Sequence, residues 1–180
     1  MIKKWIFFFY YYLGWFACIK MAQSGYELLT LLIPIPLFLW SFFFGESIKA
    51  IFFSLLLSLV GMTFDSLASY REWIHFENTN SSQLLPLWLM TLWLLFAGTL
   101  PALGRFFKGK YFWAAALAAI FGPLTYKSGE NFKLINFSQT TSLGFLQISD
   151  VVILYSVFWA IYFPVSLLIL NKGASCANSK

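Results

Sequence analysis

The sequence predicts an all-α fold: a polytopic bundle of about six transmembrane helices with both termini in the cytoplasm. Three observations carry this. Of the 180 residues, 60% are hydrophobic and only 11% are charged, against about 25% charged in soluble domains. Apolar runs of a length that crosses the hydrocarbon core, about 20 residues at 1.5 Å each, recur along the chain. Charged residues fall between those runs, with Asp65 the exception. Residues 1–172 read as one transmembrane domain and 173–180 as a polar tail.

The first helix is expected over residues 5–19, crowded with aromatics from Phe7 to Tyr12. Lys3 and Lys4 before it imitate the basic start of a signal peptide, and Gly14-Trp15-Phe16-Ala17-Cys18 hints at a lipoprotein cleavage site. Trp15 and Phe16 are bulky where such a site wants small or aliphatic residues, so the helix is expected to remain uncleaved. The second helix, 28–44, contains Pro34 and Pro36. Each proline removes a backbone donor and crowds the preceding turn, which predicts a kink whose freed carbonyls need other partners. The third helix covers 50–68.

A polar loop follows over 69–83, with Arg71, Glu72, His75, Glu77 and the run Asn78-Thr79-Asn80-Ser81-Ser82. The fourth helix, 84–103, carries Pro86 in its first turn, where proline costs little, and Pro101 near its far end. Arg105, Lys108 and Lys110 form a compact basic turn. The fifth helix, 111–126, has small residues four apart, Ala115/Ala119 and Ala118/Gly122, which allow close helix approach and place it in the bundle centre. Gly122-Pro123 is expected to kink or end it. Residues 127–147 are mostly polar, with 143–146 at the interface, and the sixth helix covers 149–170. No tandem or inverted repeat is read from the sequence.

Six crossings put both termini on one side. With the termini inside, the cytoplasmic segments hold Lys3, Lys4, Lys49, Arg105, Lys108, Lys110, Lys172 and Lys180. Only Lys20, Arg71, Lys127 and Lys133 lie outside, which favours this orientation. The net charge of +5 is thereby assigned to topology and anionic lipid rather than to nucleic acid. Cys18 and Cys176 fall toward opposite faces, so no disulfide is expected. No Cys/His cluster suggests zinc, and no P-loop, HExxH or GxSxG is present, so no metal or cofactor is expected.

Asp65 is the first candidate site residue. An intramembrane carboxylate costs about 2.5–3.5 kcal/mol at a helix centre and less near an end. It is either a proton-handling or head-group-binding group, or a polar residue hydrogen-bonded to another helix, with Ser66, Ser69 and Tyr126 as neighbours at its depth. Tyr126 belongs either to the interfacial aromatic belt or donates to Asp65. His75, the sole histidine, is either a solvated loop residue or a general base, and one histidine does not anchor a multi-His metal site. Arg105, Lys108 and Lys110 serve topology alone or also hold phosphate head groups.

Several stretches, in order, resemble a bacterial membrane family catalogued as domain of unknown function 2878. They are Leu13-Gly14-Trp15-Phe16-Ala17-Cys18, Asp65 closing an apolar helix, Leu87-Trp88-Leu89-Met90-Thr91-Leu92-Trp93-Leu94-Leu95-Phe96-Ala97-Gly98-Thr99-Leu100, and Gly122-Pro123-Leu124-Thr125-Tyr126 followed by Gly129. The likeness covers about residues 10–170. The chain departs from the pattern at Pro101-Ala102-Leu103, where Asn-His-Ser or similar is expected. The resemblance implies a Gram-negative inner-membrane location and a gene neighbourhood of fatty-acyl-chain modification, including cyclopropane-synthase-like enzymes. It implies no activity.

Three functions are carried forward. The first is an accessory, non-catalytic inner-membrane protein linked to lipid (fatty-acyl) modification or envelope stress, with membrane lipids and lipid-modifying enzymes as partners. The second is a small proton-coupled transporter using Asp65, opened by its kinked helices. The third is an integral membrane enzyme acting on lipid, with Asp65, His75 and Tyr126 converging near the outer face.

Overall fold

In a computed structural model the protein is described over residues 2–43, 46–77, 85–137 and 150–177, with side chains from 8 to 172. The elements in chain order are α1 (Ile2–Gln23), α2 (Glu27–Thr30), α3 (Ile35–Phe43), α4 (Ile48–Tyr70), β1 (Ile74–Phe76), α5 (Leu87–Phe106), α6 (Tyr111–Asn131), β2 (Ile135–Phe137) and α7 (Asp150–Ala177). The fold is an all-α bundle with one small sheet. Among the described residues three helices are long and apolar enough to cross a membrane: Ile48–Tyr70, Leu87–Phe106 and Asp150–Lys172. The expected polar run Asn78 to Ser82, the expected interfacial stretch 143–146 and the side chain of Cys176 lie outside the described residues.

α1, α4 and α6 run toward the end of the bundle that carries the sheet. The α2–α3 pair, α5 and α7 run back toward the turn between α5 and α6. We call these the sheet end and the turn end. α5 is the central helix, with twelve buried residues, and it packs on α1, α2, α3, α4 and α7. The small-residue helix α6 is therefore not central, contrary to its sequence pattern. Its partner is α7, and Phe112, Trp113, Ile120 and Phe121 on its other side are exposed.

The proline pair splits the expected second helix into α2 and α3. Between them, residues 31–34 form a tight turn with bonds from Leu31 N to Leu28 O, Leu32 N to Leu29 O and Ile33 N to Thr30 O. The carbonyl of Ile33, left free by the break, accepts the hydroxyl of Tyr10 from α1 at 2.8 Å. That bond gives the carbonyl the partner that the broken helix does not supply. Pro123, by contrast, does not end its helix, and α6 continues two turns further to Asn131.

The stretches expected as polar loops hold the two strands. β1 and β2 pair antiparallel, with Ile74 opposite Phe137, His75 opposite Asn136 and Phe76 opposite Ile135. Both strands follow a helix that ends in the same way. After α4, Glu72 N bonds to Ser69 O and Trp73 N to Ala68 O; after α6, Lys133 N bonds to Glu130 O and Leu134 N to Gly129 O. Glu72 and Lys133 occupy the left-handed region at φ 58° and 56°. This is the Schellman ending, made here without glycine.

These correspondences reveal an internal repeat that the sequence reading missed. Gly122 follows Gly61 by 61 residues, and the same interval separates Asp65 from Tyr126, Glu72 from Lys133, and Ile74-His75-Phe76 from Ile135-Asn136-Phe137. The halves are α4–β1–α5 and α6–β2–α7. The strand register sets His75 opposite its equivalent Asn136 and exchanges the flanking positions, Ile74 with Phe137 and Phe76 with Ile135, the pattern of a local two-fold axis through the His75–Asn136 pair. Trp93 of α5 and Trp159 of α7, each packed on the glycine of its own half, stack across that axis at 5.3 Å between ring centroids and 3° between planes. α1–α3 have no counterpart.

Candidate functional site

Asp65 is fully buried and accepts from three helices at once. Trp93 Nε1 of α5 donates to Oδ2 at 2.6 Å. The Tyr155 hydroxyl of α7 donates to Oδ1 at 2.8 Å, and the Tyr126 hydroxyl of α6 lies 2.9 Å from both oxygens. The carboxyl thus ties α4 to α5, α6 and α7 five residues before the end of its own helix. Three neutral donors satisfy it, and among the described residues no lysine, arginine or histidine pairs with it. A buried acceptor so provided for avoids the cost of an unmade hydrogen bond.

Two glycines let this cluster close. A Cβ on Gly61, one turn before Asp65, would lie 2.2 Å from Trp93 Cη2. A Cβ on Gly122, one turn before Tyr126, would lie 2.2 Å from Trp159 Cγ. The indole pair is therefore held between the bare backbones of α4 and α6. Only Trp93 finds an acid; Trp159 Nε1 is buried with no hydrogen-bond partner among the described residues, because the position equivalent to Asp65 is Tyr126.

Beside the cluster lies a cleft of about 520 Å³ between α1, α5 and α6, within the range of about 300–1,000 Å³ for small-molecule pockets. It runs along α5 from Trp88 and Leu89 at the sheet end to Leu103 and Phe107 at the turn end. Nineteen residues of helix separate Trp88 from Phe107, about 28 Å at 1.5 Å each. Tyr12 and Phe121 on its opposite rims are exposed by 68% and 61%, so the cleft opens sideways. Trp93 and Tyr126 line it while bonding Asp65, so they stand between the cleft and the carboxyl.

The repeat explains why the cleft exists. The α5–α6 gap is the counterpart of the α4–α7 contact. There Phe64 stacks on Phe158 at 3.7 Å and meets Tyr155 edge-on at 5.1 Å. The equivalents are Thr125 for Phe64, Leu92 for Phe158 and Leu89 for Tyr155, taking α5 and α7 in the register set by Trp93 and Trp159. All three equivalents line the cleft. Smaller side chains have opened one of two matching interfaces.

At the sheet end the cleft is clasped. Gln23 Nε2 of α1 donates to Phe132 O at 2.6 Å, and Trp15 and Phe16 meet the Phe132 ring at 6.4 and 6.2 Å. Lys20 Nζ lies 5.2 Å from the same ring centroid, within reach of a cation–π contact.

Of the residues singled out in the sequence, Asp65 and Tyr126 meet, and His75 does not join them. His75 is exposed on β1, so the three-residue constellation does not form. Ser66 bonds its own helix at Met62 O rather than Asp65. Arg105 forms an ion pair with Glu46, while Lys108 and Lys110 are exposed at the turn. Trp93 and Tyr155 were absent from the sequence candidates, since an aromatic in an apolar run looks like core or lipid-facing surface. Among the described residues no group of His, Cys, Asp and Glu is placed to hold a metal ion.

The long apolar helices, the buried polar cluster and the side-opening cleft define a helical membrane protein with an internal repeat. The chain belongs to the family described as protein of unknown function DUF2878, whose model matches residues 4–165. No curated protein matches the chain. No solved structure matches it.

Proposed function

We propose that this is a multi-pass inner-membrane protein, with its turn end in the cytoplasm, that holds a membrane lipid by its acyl chain in the cleft. In this reading it acts as a non-catalytic accessory to acyl-chain modification or the envelope stress response, beside lipid-modifying enzymes. The cleft is the observation that carries the reading. It is long, aromatic and aliphatic, and open to the side, and it stands where the other half of the repeat is solid. The orientation rests on the basic residues gathered at the turn end. A non-catalytic role follows from the burial of Asp65 behind Trp93 and Tyr126, since a general acid or base must reach its substrate directly or through one water.

The test is to close the cleft as the molecule closes its counterpart. Thr125→Phe with Leu92→Phe copies Phe64 and Phe158 into the open interface. The purified wild type should carry copurifying lipid in native mass spectra, and the double variant should lose it while unfolding at an equal or higher temperature. Retention of lipid by a folded double variant removes the cleft as the site.

A further inference from the structure

We infer that the cleft takes an anionic phospholipid from the leaflet at the turn end, its head group held by Lys108 and Lys110. This rests on the cleft as a lipid site and adds the head group and the side of entry.

Charge is divided unequally between the two ends of the bundle. At the sheet end Lys20, Arg71, Lys127 and Lys133 are balanced by Glu27, Glu72, Glu77, Glu130 and Asp150. Among the described side chains at the turn end, Lys49, Arg105, Lys108, Lys110 and Lys172 face only Glu46. Glu46 is already paired with Arg105, so that arginine is not the head-group contact. Lys108 and Lys110 are exposed and have no hydrogen-bond or ion-pair partner among the described residues.

Both lysines adjoin the mouth of the cleft. Phe107 lines its turn end, and Lys110 N bonds to Phe107 O at 2.8 Å. Gly109, at φ 76°, makes the tight reversal between the two lysines. A basic residue beside an anionic surface favours the lipid about fivefold. The Gln23–Phe132 clasp closes the opposite end, where the charge is also balanced. A chain entering from the turn end lies along α5 with its phosphate beside the lysines and its methyl end toward Trp93 and Tyr126.

The experiment reconstitutes the full chain in vesicles of equal phosphatidylglycerol and phosphatidylethanolamine, extracts it in detergent and identifies retained lipid by native mass spectrometry. The wild type should retain phosphatidylglycerol about 25-fold over phosphatidylethanolamine, about fivefold for each lysine. Lys108→Gln with Lys110→Gln should lose that preference, by about fivefold per lysine, while still retaining lipid. Thr125→Phe with Leu92→Phe should retain neither lipid, and Ala118→Leu, a milder filling of the cleft, should weaken retention of both. Equal retention of the two lipids by the wild type overturns the head-group assignment and leaves the cleft reading standing. So does a preference unchanged in the lysine variant. Preference surviving in the filled variants means the lysines attract surface lipid only, which also overturns it. No retained lipid in the wild type defeats the cleft reading and this inference together.

Discussion

The hydroxyl of Tyr126 lies 2.9 Å from each oxygen of Asp65, and the two residues stand at equivalent positions of the two halves. A symmetric pair has diverged into donor and acceptor. The acid joins four helices, and its partner forms part of the cleft wall. Changes at this pair therefore separate structural from transport roles.

Asp65→Asn should destabilise the bundle. The amide offers one acceptor oxygen where the carboxyl offers two, and its NH₂ faces donors. Each donor left unsatisfied costs about 1–3 kcal/mol. Unfolding in detergent, followed by tryptophan fluorescence, should show a lower transition for Asp65→Asn and for Tyr155→Phe. A proton-coupled transporter instead predicts an Asp65→Asn protein of wild-type stability that has lost its activity.

The glycines should rank by the space behind them. Gly61→Ala and Gly122→Ala drive a methyl into Trp93 and Trp159, and such overpacking costs about 1–3 kcal/mol. Gly98→Ala, whose Cβ would lie 3.1 Å from Leu37 Cβ, should cost less. Equal stability of all three variants would contradict the close packing of the indole pair.

Arg105→Gln should change stability by no more than about 1 kcal/mol, since the Arg105 side chain is 58% exposed and such pairs are weak. The same denaturation series in low and high salt checks this. A large, salt-insensitive loss would mean that the pair anchors the turn end.

His75→Ala should leave stability within about 0.5 kcal/mol and lipid retention unchanged, as for an exposed residue outside the cluster. Loss of retention in this variant would bring back the enzyme constellation of Asp65, His75 and Tyr126.

Much of the helical frame was legible because hydrophobic run length and proline chemistry are local. The run ending near Asp65 became α4, and Pro34 and Pro36 broke the helix that contains them. Pro123 did not end its helix, because a proline inside a packed helix is tolerated when the flanking turns stay packed, and Gly122 is packed on Trp159. The strands are three residues each, too short for alternation to show, and their pairing joins distant residues, His75 with Asn136 at its centre. The repeat was hidden for the same reason. Apolar substitutions erase identity, so Phe64 and Thr125 or Phe158 and Leu92 share only a place. The visible signs of it were a glycine one turn before each polar residue, Gly61 before Asp65 and Gly122 before Tyr126, and the Ile-x-Phe pattern of both strands. Which aromatics reach Asp65 depends on how helices face one another, and composition carries no trace of that.

The most direct measurement is photolabelling with a phospholipid that carries a diazirine in its acyl chain, in membranes, with the labelled peptides mapped. A lipid held in the cleft concentrates label on Tyr12, Leu89, Phe121 and Thr125, and the label disappears in the Thr125→Phe, Leu92→Phe variant. Label spread evenly over the exposed outer faces, Phe52 and Leu59 of α4 and Val157 and Ile161 of α7, with no excess in the cleft, would contradict it.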